Sequence, residues 1–279
     1  MAKSTGTAKR SGPSRSDPTA LGRGFKKRLQ SKDVLLGGIV MEYVRPSIVK
    51  IYRNAGFDFI YAEVEHTLFL GPQFTDFVLS ARDNGMPVIA KTAQLERAEV
   101  ARLLEAGVVG VQLPRTETRQ DVLTLLDYMK FPPKGTRAGA PCFGNTDYAM
   151  PADDRAWLKK ADASTILVVH IETRRGFENA EQIITTPGVD MVYLGPYDFS
   201  ISMGHPGQYD HPQMKQAMMK VLMLCRKHGV PFGTTASNRK AAAGLVKRGC
   251  RFFEIVDEMT LIGQGATDTV EGYRSIPGV

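Results

Sequence analysis

The chain is poor in the features that would mark a secreted, membrane-spanning or nucleotide-binding protein. Its three cysteines (Cys142, Cys225 and Cys250) are odd in number, scattered and without metal-type spacing. That excludes a disulfide framework and a structural zinc site, and it suits a reducing, cytoplasmic compartment. No apolar run approaches the roughly 18 residues needed to cross a bilayer. No Gly-x-Gly-x-x-Gly dinucleotide loop and no Walker-type phosphate loop stands at a strand–helix junction. No internal repeat is present, and the single tryptophan, Trp157, reads as a packing residue.

What is present is 279 residues, 43% of them hydrophobic, enough for one large domain, since α/β barrels run to about 250 residues. The net charge of +7 is unevenly spread. Residues 1–32 hold nine Lys/Arg and one acid, Asp17, whereas the remainder carries 27 Lys/Arg against 28 Asp/Glu. The basic balance therefore belongs to the N-terminus, and nucleic-acid binding is not expected beyond weak contacts of that tail. Residues 1–24, rich in Ser, Thr, Gly, Pro and Lys, read as a disordered tail. They lack the apolar segment of a secretory signal and only weakly resemble a transit peptide. Residues 25–279 form the expected folded domain.

From residue 34 onward, apolar runs alternate with helix-like segments, several of which stop at a glycine. Strands are expected at 34–40, 57–64, 87–91, 108–113, 165–171, 189–194, 231–235 and 252–256. Eight strands alternating with helices predict an α/β protein, a single-domain (β/α)8 TIM barrel with a parallel sheet. The long segment 130–162 is expected to lid the site.

In such a barrel, catalytic groups sit at the C-terminal ends of the strands. Two of the apolar runs stop at acids: Val168-Val169-His170-Ile171-Glu172, and Met191-Val192-Tyr193-Leu194 followed by Gly195-Pro196-Tyr197-Asp198. Two carboxylates without a cysteine ligand suit a hard divalent cation held by oxygen. The same positions also suit a helix-capping glutamate and a solvated turn. The second strand ends in Glu63-Val64-Glu65-His66, where alternation places Glu63 and Glu65 on one face with His66 beyond them. That is the setting of an oriented base, or of an ion-pair network on the rim.

These blocks carry a resemblance. Ala55-Gly56-Phe57-Asp58-Phe59 leading to Glu63-Val64-Glu65-His66, Leu103-Leu104-Glu105-Ala106-Gly107, Phe131-Pro132-Pro133-Lys134-Gly135-Thr136-Arg137, His170-Ile171-Glu172-Thr173 and Gly195-Pro196-Tyr197-Asp198-Phe199-Ser200 follow in order over most of the chain. Together they are similar to the metal-dependent class II 2-oxo-acid (pyruvate) aldolases. These include 4-hydroxy-2-oxoheptanedioate and 2-keto-3-deoxy sugar-acid aldolases, with macrophomate synthase and the citrate lyase β subunit as more distant relatives. The resemblance implies a carbon–carbon lyase that cleaves or forms a 4-hydroxy-2-oxo acid through a metal-bound pyruvate-type enolate. It assigns Glu172 and Asp198 to a Mg2+, Mn2+ or Co2+ ion and the backbone near Tyr197 to the donor carboxylate. It makes His66 the base, oriented by Glu63 and Glu105. The substrates would be a small 2-oxo acid and an aldehyde, and the assembly a homo-oligomer, a trimer or hexamer.

Three positions depart from that family pattern. The arginine expected at the end of the third strand falls on Ala90, with Lys91 one residue out of phase and facing away unless the strand bulges or ends there. Lys91, Arg137 and His170 are the candidates to replace it as substrate-binding groups. His170 stands where glutamine is usual and could be a ligand, a donor to substrate or a core histidine. Glu63 and Glu105 replace aspartates. These changes leave open a related metal-enolate enzyme with changed chemistry (a condensing enzyme or a decarboxylase), or a non-catalytic barrel acting as a binding protein.

Overall fold

The eight apolar runs fold as eight parallel strands, and their alternation is resolved into an inner and an outer face. The computed structural model describes residues 17–67 and 71–278. The strands are β1 (Leu35–Val40), β2 (Phe59–Glu63), β3 (Val88–Lys91), β4 (Gly110–Leu113), β5 (Ile166–Ile171), β6 (Met191–Leu194), β7 (Phe232–Thr234) and β8 (Phe252–Asp257). They pair in sequence order and close through β1 and β8 into a barrel. The helices are α1 (Ala20–Leu29), α2 (Pro46–Ala55), α3 (Pro72–Asp83), α4 (Arg97–Ala106), α5 (Arg119–Met129), α6 (Asp154–Ser164), α7 (Arg174–Glu178), α8 (Ala180–Ile184), α9 (Pro196–Ser202), α10 (Pro212–His228), α11 (Arg239–Arg248) and α12 (Glu258–Arg274). Among the described residues no helix is long and apolar enough to cross a membrane.

Residues such as Ile60, Ala62, Ala90, Val111, Val169, Ile171, Val192 and Leu194 point outward and pack under the helices. The inward set starts apolar, with Leu35, Phe59, Ile89, Ile166, Met191 and Phe252. It turns polar towards the C-terminal ends, where Glu63, Lys91, Gln112, His170 and Glu254 are all buried. The barrel thus has a dry floor and a charged mouth. Phe59 fits across the floor because Gly37 lies opposite it: a Cβ there would come within 2.1 Å of the Phe59 ring.

The N-terminal boundary differs from expectation. Residues 20–24, assigned to the tail, are the first half of α1, and Phe25 and Leu29 are buried in the barrel floor. Phe25 packs on Phe59 with ring centroids 5.5 Å apart, and Phe59 stacks on Phe252 at 4.2 Å. The basic residues of this segment hold the plug in place. Lys26 pairs with Asp190 at 2.7 Å and Arg28 with Asp58 at 2.6 Å, both acids immediately preceding strands. Composition hid the helix because its apolar face is so narrow. The expectation for residues 1–16 lies outside the described residues.

Segment 130–162 does not lid the mouth. Lys130 Nζ donates to the Asp162 carbonyl and to Thr165 Oγ1, and the Phe131 N–H to Asp162 Oδ1. These bonds pin the segment where the chain enters β5, at the N-terminal rim.

If α1 is part of the folded domain, Phe25→Ala should lower the unfolding free energy by about 3–5 kcal/mol, the range for emptying a buried aromatic site. Arg28→Ala, which removes a partly exposed ion pair, should stay within about 1 kcal/mol. Urea denaturation followed by circular dichroism measures both. Equal and small effects would mean that α1 is dispensable to the barrel.

Candidate active site

Inward alternation at the ends of β2, β3, β4, β5 and β8 gathers the polar residues at one mouth. Glu63, Lys91 and Gln112 stand side by side, because Glu63 pairs in register with Lys91 and Lys91 with Gln112. The expected outward orientation of Lys91 is therefore corrected. Ile89 and Lys91 are the inward residues of β3, and Ala90 packs under the helices. Lys91 Nζ lies 2.5 Å from Glu65 Oε2 and 3.3 Å from Glu63 Oε2. Burial opposes its charge, but the carboxylates of Glu63, Glu172 and Glu65 outweigh that and hold the ammonium above its ordinary range.

Glu63 acts on His66 through the backbone. Its Oε1 accepts the Glu65 N–H at 2.8 Å and the His66 N–H at 3.3 Å, which shapes the turn after β2. The side chain beside the His66 imidazole is Glu65, with Oε2 3.5 Å from Nε2, and His66 is largely exposed at the mouth. Glu63, Glu65 and His66 offer three ligand atoms within 4.8 Å of one another. This cluster is a poor cation site, because the Lys91 ammonium already lies between its two carboxylates and would repel a second positive charge.

Glu172 does not cap the following helix. Thr173 does, accepting the Gly176 N–H at 3.0 Å. Glu172 turns inward instead, 2% exposed, and its Oε1 accepts the Arg115 N–H at 2.6 Å. Arg115 adopts φ 45°, a left-handed conformation rare for a branched side chain, so the β4–α5 loop stores strain in aiming that N–H. Burial pushes the Glu172 carboxyl up to about 7 despite the pull of Lys91 and Arg115; Glu65 and Asp198 add to the rise. Asp198, half-buried in the first turn of α9, is thus brought into electrostatic reach of Glu172. Tyr197 beside it projects into solvent, which leaves its backbone, rather than its side chain, for the site.

His170 is fully enclosed. Its Nδ1 lies 3.3 Å from the Gln112 amide nitrogen, its ring meets Tyr193 edge-on at 4.9 Å, and its Nε2 lies 3.2 Å from Glu172 Oε2. Burial, aided by the Lys91 charge, holds this imidazole well below the usual histidine range, so it is neutral. Gly195 at the end of β6 keeps the space in front of it open: a Cβ there would lie 2.1 Å from His170 Nε2 and 3.1 Å from Glu172 Oε2.

Two expected site residues lie elsewhere in the protomer. Glu105 is in the last turn of α4, hence at the N-terminal rim, in a groove lined by Phe74, Arg102 and Phe143. Arg137 is buried beneath the barrel against Val109, Gly144 and Thr165, with its guanidinium 4.5 Å over the Phe131 ring. Neither reaches the mouth, because helices return the chain to the opposite end of the barrel before each new strand. Conversely, the sequence reading missed Glu254, inward on β8. Burial holds its carboxyl well above the usual range, although Tyr193 and Lys91 draw it down. An acid within the apolar run Phe252-Phe253-Glu254-Ile255-Val256 was the available signal.

Comparison with known proteins agrees with this architecture. The HpcH/HpaI aldolase/citrate lyase family profile matches residues 41–262. A hydroxypyruvate/pyruvate aldolase of Delftia acidovorans is 26% identical over 252 residues, covering 90% of this chain and 92% of its own. A 5-keto-4-deoxy-D-glucarate aldolase of Shigella sonnei is 23% identical over 250 residues, 90% and 96% of the two chains. Among solved structures, the HpcH/HpaI aldolase from Desulfitobacterium hafniense superimposes with a TM-score of 0.85 at 26% identity, over 91% of this chain and 97% of that one. The closed parallel barrel, the acids at its mouth and the length of the match together place this chain in the HpcH/HpaI aldolase/citrate lyase family.

Proposed function

We propose that the protein is a divalent-metal-dependent aldolase that cleaves or forms a 4-hydroxy-2-oxo acid, with a pyruvate-type donor and an aldehyde as the two halves. The observation that carries this reading is the buried Glu172 carboxyl, raised to about 7 beside Asp198 at the C-terminal mouth of the barrel. Relatives bearing aldolase names lend it support. Glu172 and Asp198 would hold Mg2+, Mn2+ or Co2+. The residues fit such an ion, since hard carboxylates face a space that Gly195 leaves free of any side chain. When bound, the ion supplies Lewis-acid stabilisation of the negative charge that develops on the donor's 2-oxo oxygen.

The chain's own groups divide the remaining work. The Tyr197 and Asp198 N–H groups open α9, where a helix offers them no intrahelical acceptor, and they suit the donor carboxylate. Lys91 is a fixed positive charge buried beside Glu172 and Glu63, on the strand where the related enzymes are expected to place arginine. His66, beside Glu65 at the open rim, takes the proton of the aldol hydroxyl in cleavage and returns it in synthesis.

A homo-oligomer, trimer or hexamer, is supported by α12. Its residues Leu261, Ile262, Val270 and Tyr273 are exposed, and Glu258 is its one buried residue. A monomer rarely leaves so much apolar surface in water. A cytoplasmic setting accords with three free thiols.

Incubation with pyruvate in D2O should give metal-dependent exchange of the C3 hydrogens with Mn2+ or Co2+, abolished by chelation and by Glu172→Gln. Exchange that survives Glu172→Gln would overturn the assignment. His66→Ala should reduce aldol cleavage by about 10²–10⁴ while metal affinity, read by calorimetry, stays the same. A parallel loss of metal binding would move His66 from base to ligand. The folded Glu172 carboxyl binds its proton more tightly than the unfolded one, whose ordinary value is 4.5. The metal-free protein therefore loses stability from this group as pH rises from about 4.5 to about 7. A dication reverses the loss, so the gain in Tm on adding Mn2+ should be larger at pH 8 than at pH 6. Equal gains would place the ion away from Glu172.

A further inference from the structure

Four observations converge on the free nitrogen of His170. The first is that Nε2 is buried and makes no hydrogen bond: its approach to Glu172 Oε2 is short, at 3.2 Å, but not aligned as one. A histidine that served only to fill the core would have this atom paired. The second is the distance itself. Two donors bound at right angles to one ion, each at about 2.1 Å, stand about 3.0 Å apart. The third is the open ground in front of both atoms. Gly195 carries no side chain where a Cβ would collide with Nε2 and crowd Oε2. The fourth is the grip on the rest of the ring. Nδ1 meets the Gln112 side-chain amide at 3.3 Å, and Tyr193 sets the ring plane edge-on. The two ends of an amide exchange by a half-turn. With its oxygen towards the ring, Gln112 accepts the Nδ1–H and leaves the Nε2 lone pair facing Glu172 and Gly195. Metal-bound histidines are held in this way by an acceptor on the second nitrogen.

We propose that His170 Nε2 is a third protein ligand to the divalent cation held by Glu172 and Asp198, making the site one imidazole and two carboxylates. This rests on the metal-dependent reading given above. It has a consequence for metal choice. Carboxylate oxygens alone suit Mg2+, whereas an imidazole nitrogen shifts preference towards the later first-row dications such as Co2+ and Zn2+. The substitution of histidine for the expected glutamine then acts as a determinant of metal specificity, two residues before Glu172 on the inward face of β5.

The test uses the full-length protein stripped of metal and loaded with Mn2+, read by pulsed electron paramagnetic resonance for coupling to a directly bound ¹⁴N. The wild type and His66→Ala should both show the imidazole coupling, and His170→Gln should lack it. In parallel, Co2+ titration followed by visible absorption should give at least about tenfold weaker binding and an altered spectrum in His170→Gln. Mg2+ affinity, by calorimetry, should change less than Co2+ affinity. Mn2+ bound by the wild type without nitrogen coupling would overturn the proposal and leave the metal-dependent reading standing; this reading of the wild type holds even if His170→Gln fails to fold. Coupling lost in His66→Ala instead would assign the nitrogen to His66 and overturn it as well. No binding of Mn2+, Co2+ or Mg2+ by the wild type would overturn both.

Discussion

Burial of charge in the upper half of the barrel is the constraint on which the site depends. Glu63, Glu65, Glu172, Asp198 and Glu254 converge there, and Lys91 is the ammonium set among them. Taking ionised carboxylates out of water is expensive unless each is paired. Lys91 compensates Glu63 and Glu65, and it does so at contact distance. Glu254, deeper and further from that cation, resolves the problem by keeping its proton, as its raised range shows. Glu172 is left between these outcomes: near neutral pH it is held by one backbone N–H and is on the edge of ionisation. A dication at this place relieves the imbalance directly. The same surplus of negative charge explains why the neutral form of His170 is compatible with its position. Burial outweighs the neighbouring acids, and the Lys91 charge acts in the same direction.

The dry floor makes this arrangement possible. Strand ends can hold strained or charged groups only if the strands themselves are fixed, and the aromatic stack of Phe25, Phe59 and Phe252 fixes them from below. Gly37 is part of that device, since the Phe59 ring occupies the space of its missing side chain. At the other end, the Glu258 carboxylate accepts the N–H groups of Met41, Glu42 and Tyr43 and ties the last strand–helix junction to the first loop. The left-handed Arg115 is tolerated on the same grounds. Thr116 anchors the loop next to it, its N–H donating to the His170 carbonyl and its hydroxyl accepting the His170 N–H.

Much of this was legible along the chain, for physical reasons that are local. Runs of β-branched residues between glycine-ended helices announce parallel strands, because a strand buried on both faces needs continuous apolar character. The acids Glu172 and Asp198 were visible because each interrupts such a run at its end. Phase was harder to read. Whether Ala90 or Lys91 faces inward depends on where β3 pairs with β2 and β4, and a register shift of one residue reverses every side chain. The partner of His66 was misread for the same kind of reason. Alternation places Glu63 and Glu65 on one face, but the strand ends at Glu63 and the turn brings Glu65 to the imidazole.

By itself, then, the sequence determined the barrel, its order of strands and helices, and the identity of the acids at its mouth, since these follow from hydrophobic periodicity and from breaks in it. The tertiary structure alone decided which of the remaining polar residues meet. It sent Arg137 and Glu105 to the opposite rim, turned Lys91 inward, folded α1 under the floor and placed His170 Nε2 against Glu172 in the space left by Gly195. The physical reason is that these contacts join residues far apart in the chain. Their distances are set by barrel closure and strand register, which no local pattern records.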